Sequence, residues 1–200
     1  MSTYRAPLRD MQFVLRELAG VEQIAKLPGY EDTTDVLDAI LDEASTFATE
    51  VLSPLNQSGD QEGCTWNDGV VTTPKGFKEA YKSFAQAGWI GLPVPVEHGG
   101  QGLPQLLLGP TLEMWNASNI GFANGPLLNQ GAIEAIEQFG SDEQKHTYIT
   151  KLVSGEWTGT MCLTEPQAGS DLAQVRTNAT TSSAPVSSTR WGSTRTRLAR

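Results

Sequence analysis

Apolar positions in the first 155 residues recur at the three-and-four spacing that lines one face of a helix. Residues 10–18 put Met11, Val14, Leu15 and Leu18 on one stripe behind Pro7, a short helix. Residues 34–52 repeat the pattern with Val36, Leu37, Ile40, Leu41, Ala44, Phe47, Ala48, Val51 and Leu52. This predicts a long amphipathic helix stopped by Pro54. Residues 56–71 are polar, with Gly59, Gly63 and the turn signal Asn67-Asp68-Gly69, and predict a loop or weak hairpin. Thr73-Pro74 reads as an N-cap and first helical residue, opening a helix through Phe77, Tyr81, Phe84 and Ala85 that Gly88 ends.

The stretch from Gly91 to Pro104 is too rich in proline and glycine for a helix or a central strand, and reads as an ordered loop. Three further helices are predicted over residues 104–117, 126–139 and 141–153. Ser141 with Gln144 three residues later forms a capping box at the head of the last. Helical periodicity then ceases. Residues 156–164 (EWTGTMCLT) are rich in β-compatible side chains and predict the first strand of a β-domain. The fold class is therefore mainly α, with a helical domain ending near Gly155.

The 200 residues, 38% of them hydrophobic, suffice for one sizeable core. No run of 18 apolar residues occurs. The first 18 residues carry Arg5, Arg9, Asp10, Arg16 and Glu17 where a signal peptide needs an apolar stretch, so a soluble, cytoplasmic protein without a membrane span is expected. Cys64 and Cys162 lack CxxC spacing and read as packing residues, not a disulfide framework or zinc site. Charge is uneven: residues 172–200 hold five arginines and none of the 23 acidic residues, leaving the remainder strongly acidic. Such a body repels polyanions, which excludes a nucleic-acid surface on the main domain.

Several sites are excluded by pattern. Gly99-Gly100-Gln101-Gly102 lacks the third glycine of a dinucleotide fingerprint and follows no strand. No Walker-type lysine follows a glycine loop, and Ser170 sits in no GxSxG elbow. His98 and His146 stand alone, without partners at metal-ligand spacing, and read as structural or solvated. The segment Gly159-Thr-Met-Cys-Leu-Thr-Glu-Pro-Gln-Ala-Gly-Ser-Asp171 is different. A strand ends at Thr164, a Glu-Pro pair turns the chain, and Ala-Gly-Ser-Asp supplies a small loop with exposed backbone and a hydroxyl. Such a loop lets an anionic or planar ligand approach closely. The pattern alone does not say which ligand.

At these residues the chain resembles the acyl-CoA dehydrogenase family, whose first flavin motif is a strand followed by (Leu/Val)-Thr-Glu-Pro-x-Ala-Gly-Ser-Asp. The match is unbroken from Leu163 to Asp171. Pro95-Val-Glu-His-Gly-Gly-Gln-Gly-Leu-Pro104 resembles the family's glycine loop. Phe139-Gly-Ser-Asp-Glu-Gln-Lys145 through Leu152-Val-Ser-Gly-Glu156 resembles the helix before its β-domain. The opening Tyr4-Arg-Ala-Pro-Leu-Arg-Asp-Met-Gln-Phe-Val-Leu15 is similar to an N-terminal extension of a long-chain subset that takes in the 3-methylmercaptopropionyl-CoA dehydrogenases. The resemblance implies an N-terminal extension over residues 1–32, a helical domain over 33–155 and the start of a β-domain over 156–177.

It also implies FAD as cofactor. Met161, Cys162, Leu163 and Thr164 would lie along the flavin ring, with Thr164 bonding the isoalloxazine. Gly169 and Ser170 would approach the diphosphate, and Ser170 the bound acyl-CoA substrate. The family reaction removes an α-proton with a glutamate base while the β-hydrogen leaves as hydride to flavin N5. Its base and its second flavin motif lie outside the matched residues, so no catalytic residue is assigned, and Glu165 is rejected as a base because it belongs to the turn. An electron-accepting flavoprotein and a homo-oligomeric parent are implied.

The resemblance stops near Thr177. Residues 178–200 are nearly half Ser and Thr, without period, and cannot bury enough apolar surface to offset their ordering entropy. A disordered tail is expected, arising from a shifted reading frame or a truncated gene, so that the fragment itself is inactive. The alternative is a non-catalytic helical interaction module that uses the basic tail.

Overall fold

The computed structural model describes residues 4–177. The chain divides into two units, Met1–Thr160 and Met161–Arg200. The expected disordered tail over residues 178–200 lies outside the described residues.

The first unit is helical. α1 (Leu8–Phe13) runs on through a π-helical turn (Val14–Leu18) and is followed by α2 (Val21–Ile24). Of the first stripe only Met11 and Leu15 are buried; Val14 and Leu18 face outward. α3 (Thr33–Phe47), a π-helical turn (Ala48–Leu52) and α4 (Ser53–Glu62) form one continuous rod. Leu37, Leu41, Ala44, Ala48 and Leu52 are its buried stripe. Pro54 does not stop this helix. The Ser53 N–H reaches back five residues to the Ala48 carbonyl, so the turn ahead of Pro54 is already widened. Proline then occupies the first turn of the next α-helical stretch, where its missing N–H costs little.

β1 (Thr65–Asn67) and β2 (Val70–Thr72) pair antiparallel with Trp66 opposite Val71, so the predicted weak hairpin forms, though residues 56–62 ahead of it are helical. Asp68 (φ 45°) and Gly69 (φ 82°) supply the two left-handed residues that a two-residue hairpin turn requires. α5 (Phe77–Gln86) opens later than the Thr73-Pro74 signal indicates. Gly76 at φ 89° breaks the helical path, and Thr73-Pro74 belongs to the turn before it. The loop from Gly91 to Pro104 is ordered: Gln101 N–H bonds Gly91 O at 2.9 Å, Gly102 N–H bonds Val94 O at 2.9 Å, and Leu103 N–H bonds Leu92 O at 3.1 Å.

α6 (Leu108–Phe139) replaces two predicted helices with one rod kinked at Asn119 (φ −160°, ψ 88°). Asn119 caps the second arm, its Oδ1 accepting the Phe122 N–H at 3.0 Å, so that arm starts six residues before Pro126. Pro126 lies inside the helix. α7 (Asp142–Gln144), a π-helical turn (Lys145–Ile149) and α8 (Thr150–Val153) complete the unit, and the Ser141/Gln144 capping box forms in both directions.

The core is aromatic at its centre. Phe84, 1% exposed, meets Trp115 at a ring-centroid distance of 5.4 Å and Phe122 at 5.5 Å, while Phe47 lies against both Phe84 and Trp115. Edge-on packing of this kind ties α3, α5 and both arms of α6 together. No helix among the described residues is long and apolar enough to cross a membrane.

Candidate functional site

The predicted strand over residues 156–164 does not form. Residues 158–164 have no regular secondary structure, and the β-pairing nearby is a single bridge between Glu165 and Ala168. A strand is stabilised by ladder bonds to a neighbour, and composition alone does not supply one.

Trp157 and Gly159 are instead held by groups of the helical unit. Trp157 N–H bonds the Lys151 carbonyl at 3.1 Å, and its ring lies under the Lys151 ammonium at 4.3 Å and beside Tyr148 at 6.0 Å. Gly159 N–H bonds the Oδ1 of buried Asn129 at 2.8 Å. Asn129 was not a sequence-level candidate. The signal that could have found it is a carboxamide on the same face of α6 as Ile133 and Phe122.

In the second unit, Met161, Cys162, Leu163 and Thr164 run along an exposed stretch whose main-chain N–H and C=O groups form no backbone hydrogen bond among the described residues. Their side chains are exposed, so Met161 and Leu163 are not core packing here. Cys64 and Cys162 are both free and exposed, which corrects their reading as packing residues. The turn that follows is tightly closed: Glu165 N–H bonds Ala168 O at 2.9 Å and Ala168 N–H bonds Glu165 O at 3.0 Å, around Pro166 and Gln167. Gly169 has open space where a side chain would stand, and Ser170 is exposed. Asp171 caps a short 3-10 turn (Leu172–Gln174) by accepting the Ala173 N–H at 3.2 Å.

Glu165 is the hub of this loop. Its carboxylate accepts the Thr177 hydroxyl, the Arg176 N–H at 3.1 Å, the Thr177 N–H at 2.8 Å and the Gln167 carboxamide. The Thr177 hydroxyl first, and the two main-chain donors after it, hold the carboxyl down to about 2 from an ordinary 4.5. A carboxylate so fully engaged is a poor proton acceptor at neutral pH, and its role is to tie 176–177 back onto the turn. His98 lies 3.7 Å from its neighbour Glu97, and His146 is exposed. Among the described residues no cluster of His, Cys, Asp and Glu is placed to hold a metal ion.

Residues 161–164 have main-chain amides and carbonyls without backbone partners among the described residues, hydroxyls stand at Thr164 and Ser170, and space is open at Gly169. Residues 34–156 match the family model described as acyl-CoA dehydrogenase, N-terminal domain. The chain belongs to the acyl-CoA dehydrogenase family. It is 44% identical over 178 residues to 3-methylmercaptopropionyl-CoA dehydrogenase of Ruegeria pomeroyi, a match covering 88% of this chain and 30% of that enzyme. Glutaryl-CoA dehydrogenase of Mycobacterium smegmatis has the same fold, with a TM-score of 0.64 at 24% identity, over 90% of this chain and 40% of that one. An acyl-CoA dehydrogenase of Bacillus anthracis, solved in complex with FAD, aligns with a TM-score of 0.57 at 25% identity, over 69% of this chain and 22% of the other. The chain thus spans about 30% of the length of the curated relatives it matches.

Proposed function

We propose that the chain is the N-terminal part of a FAD-dependent acyl-CoA dehydrogenase and carries one side of its flavin site. The observation that supports this most directly is the unbroken Leu163–Asp171 motif, which follows a family-matched helical domain and presents open backbone and hydroxyls. Main-chain groups of Met161, Cys162, Leu163 and Thr164 would hold the flavin ring, and the Thr164 hydroxyl would hydrogen-bond it. Gly169, with open space around it, and Ser170 would approach the diphosphate and the bound acyl-CoA substrate. Bound FAD supplies a hydride acceptor for the β-hydrogen of the acyl group. Glu165 takes no proton in this scheme, because its oxygens are occupied by the loop they hold.

The same reading makes the working enzyme a cytoplasmic homo-oligomer of fatty acid metabolism that passes electrons to a second flavoprotein. The test is a titration of FAD with the 200-residue chain, followed by flavin fluorescence and polarisation. Saturable binding weakened about tenfold by Thr164→Ala is the expected result, since one hydrogen bond to a buried ring edge is worth about 1.4 kcal/mol. Binding indifferent to both Thr164→Ala and Ser170→Ala would remove the site assignment.

A further inference from the structure

We propose that Asn129 is a positioning residue that fixes where the flavin-binding strip begins, an inference that rests on the flavin reading above. Asn129 lies within the second arm of α6 and is 1% exposed. Both ends of its carboxamide are used. Oδ1 accepts the Gly159 N–H at 2.8 Å, and Nδ2 donates to the Leu152 carbonyl at 2.9 Å. Leu152 is in the last turn of α8, and its carbonyl accepts both the Asn129 carboxamide and the Gly155 N–H at 3.2 Å, so one buried side chain joins the end of that helix to Gly159.

Gly159 fits this seat by close approach. A β-carbon there would stand 2.4 Å from the Ala132 β-carbon, 3.1 Å from the Leu128 carbonyl oxygen and 3.2 Å from the Asn129 α-carbon. The backbone of residue 159 is thus pressed on the backbone of α6, and the Asn129 bond sets its register along that helix. Two residues later comes Met161, the first residue of the strip. A carboxamide can accept from one amide and donate to one carbonyl at this length, and the part-buried Gly159 N–H is the partner left unpaired when it is removed. No part of Asn129 is needed to touch the cofactor; it acts through Gly159.

The test uses the full 200-residue chain, isotope-labelled, with backbone amide hydrogen exchange read residue by residue beside the FAD titration. In Asn129→Ala the Gly159 amide should exchange at least about tenfold faster relative to the core amides of Ile133 and Ile149, which report global opening. FAD affinity should fall by a similar factor. Asn129→Asp keeps the acceptor and should restore Gly159 protection, while the Leu152 carbonyl loses the carboxamide and keeps only the Gly155 N–H. Gly159→Ala, which leaves the Asn129 side chain intact, serves where the Asn129 variants do not fold and should weaken FAD binding by displacing residue 159 from α6. Gly159 exchange that rises only in step with Ile133 and Ile149 would overturn the latch. A freed Gly159 with unchanged FAD affinity would overturn its positioning role. No FAD binding by the unaltered chain would instead sink the flavin reading, and the exchange comparison would still decide the latch.

Discussion

Replacing Asn119 by alanine removes the joint of α6. Its Oδ1 accepts the Phe122 N–H at 3.0 Å, and its Nδ2 donates to the Leu52 carbonyl at 3.2 Å in the rod built from α3 and α4. The residue is 2% exposed, so water cannot take over either bond. Losing the cap leaves the Phe122 N–H buried and unpaired, and with the lost bond to Leu52 O it costs about 1–2 kcal/mol. A loss of that size lowers Tm by about 2–8 °C for a chain of this size.

Urea unfolding followed by helical circular dichroism measures this directly, provided the slope with denaturant is unchanged. The comparison is Asn116→Ala three residues away. Its Nδ2 bonds the Leu112 carbonyl of the same helix at 2.7 Å, an acceptor already used by the helix, and its loss should cost under about 0.5 kcal/mol. Similar losses in the two variants would refute the claim that Asn119 holds the kink.

Glu165 makes the loop over residues 165–177 pH-dependent in one direction. Because its folded value is depressed, the stabilisation is complete above about pH 4.5 and disappears as pH falls toward about 2, which carbon-detected titration of the Glu165 carboxyl should show; a midpoint near 4.5 would refute it. Both Cys64 and Cys162 should react with a thiol reagent without denaturant, and FAD should slow Cys162 but not Cys64; equal slowing would count against the placement of the flavin. Residues 1–200 purified alone, given FAD, an electron acceptor and a panel of acyl-CoAs, should show no turnover above background, and substrate-dependent bleaching of the flavin would contradict that. Lys151→Gln removes a half-exposed cation from the Trp157 face and should lower stability by no more than about 1 kcal/mol, with a shift in Trp157 fluorescence.

Periodicity located the helices well because burial on one face is a sum over many residues. Leu37, Leu41, Ala44, Ala48 and Leu52 are all buried, and a single atypical neighbour cannot cancel that signal. Boundaries were less legible, since each depends on one local event. Pro54 and Pro126 read as a stop and a start, yet the first is accommodated by a widened turn and the second by a helix already begun at Asn119. The widened turn has no composition of its own. Asn119 carries a signal, an N-cap residue followed three positions on by a buried aromatic, but Gly121, Gly125 and Pro126 beside it are equally strong marks of a helix boundary. The capping box at Ser141 was readable because both of its bonds are made between residues three apart.

The 163–171 motif presents the opposite case: its family was legible and its conformation was not. Leu163 to Asp171 match the motif residue for residue, whereas the strand expected before it has no ladder in the structure. The reason lies in what each property depends on. The Glu165 turn is closed by bonds spanning no more than 12 positions, all within 165–177, so the chain can form it unaided. A strand needs a neighbour, and β-propensity measures how well a residue fits one. Residues 157–159 have such neighbours in the helical unit, where the Lys151 carbonyl and the Asn129 carboxamide accept their N–H groups. Order in this segment should therefore follow those two contacts. Substitutions at Asn129 and Gly159 should change it, while exchanges among β-favouring residues at Thr158 or Thr160 should leave it unaltered.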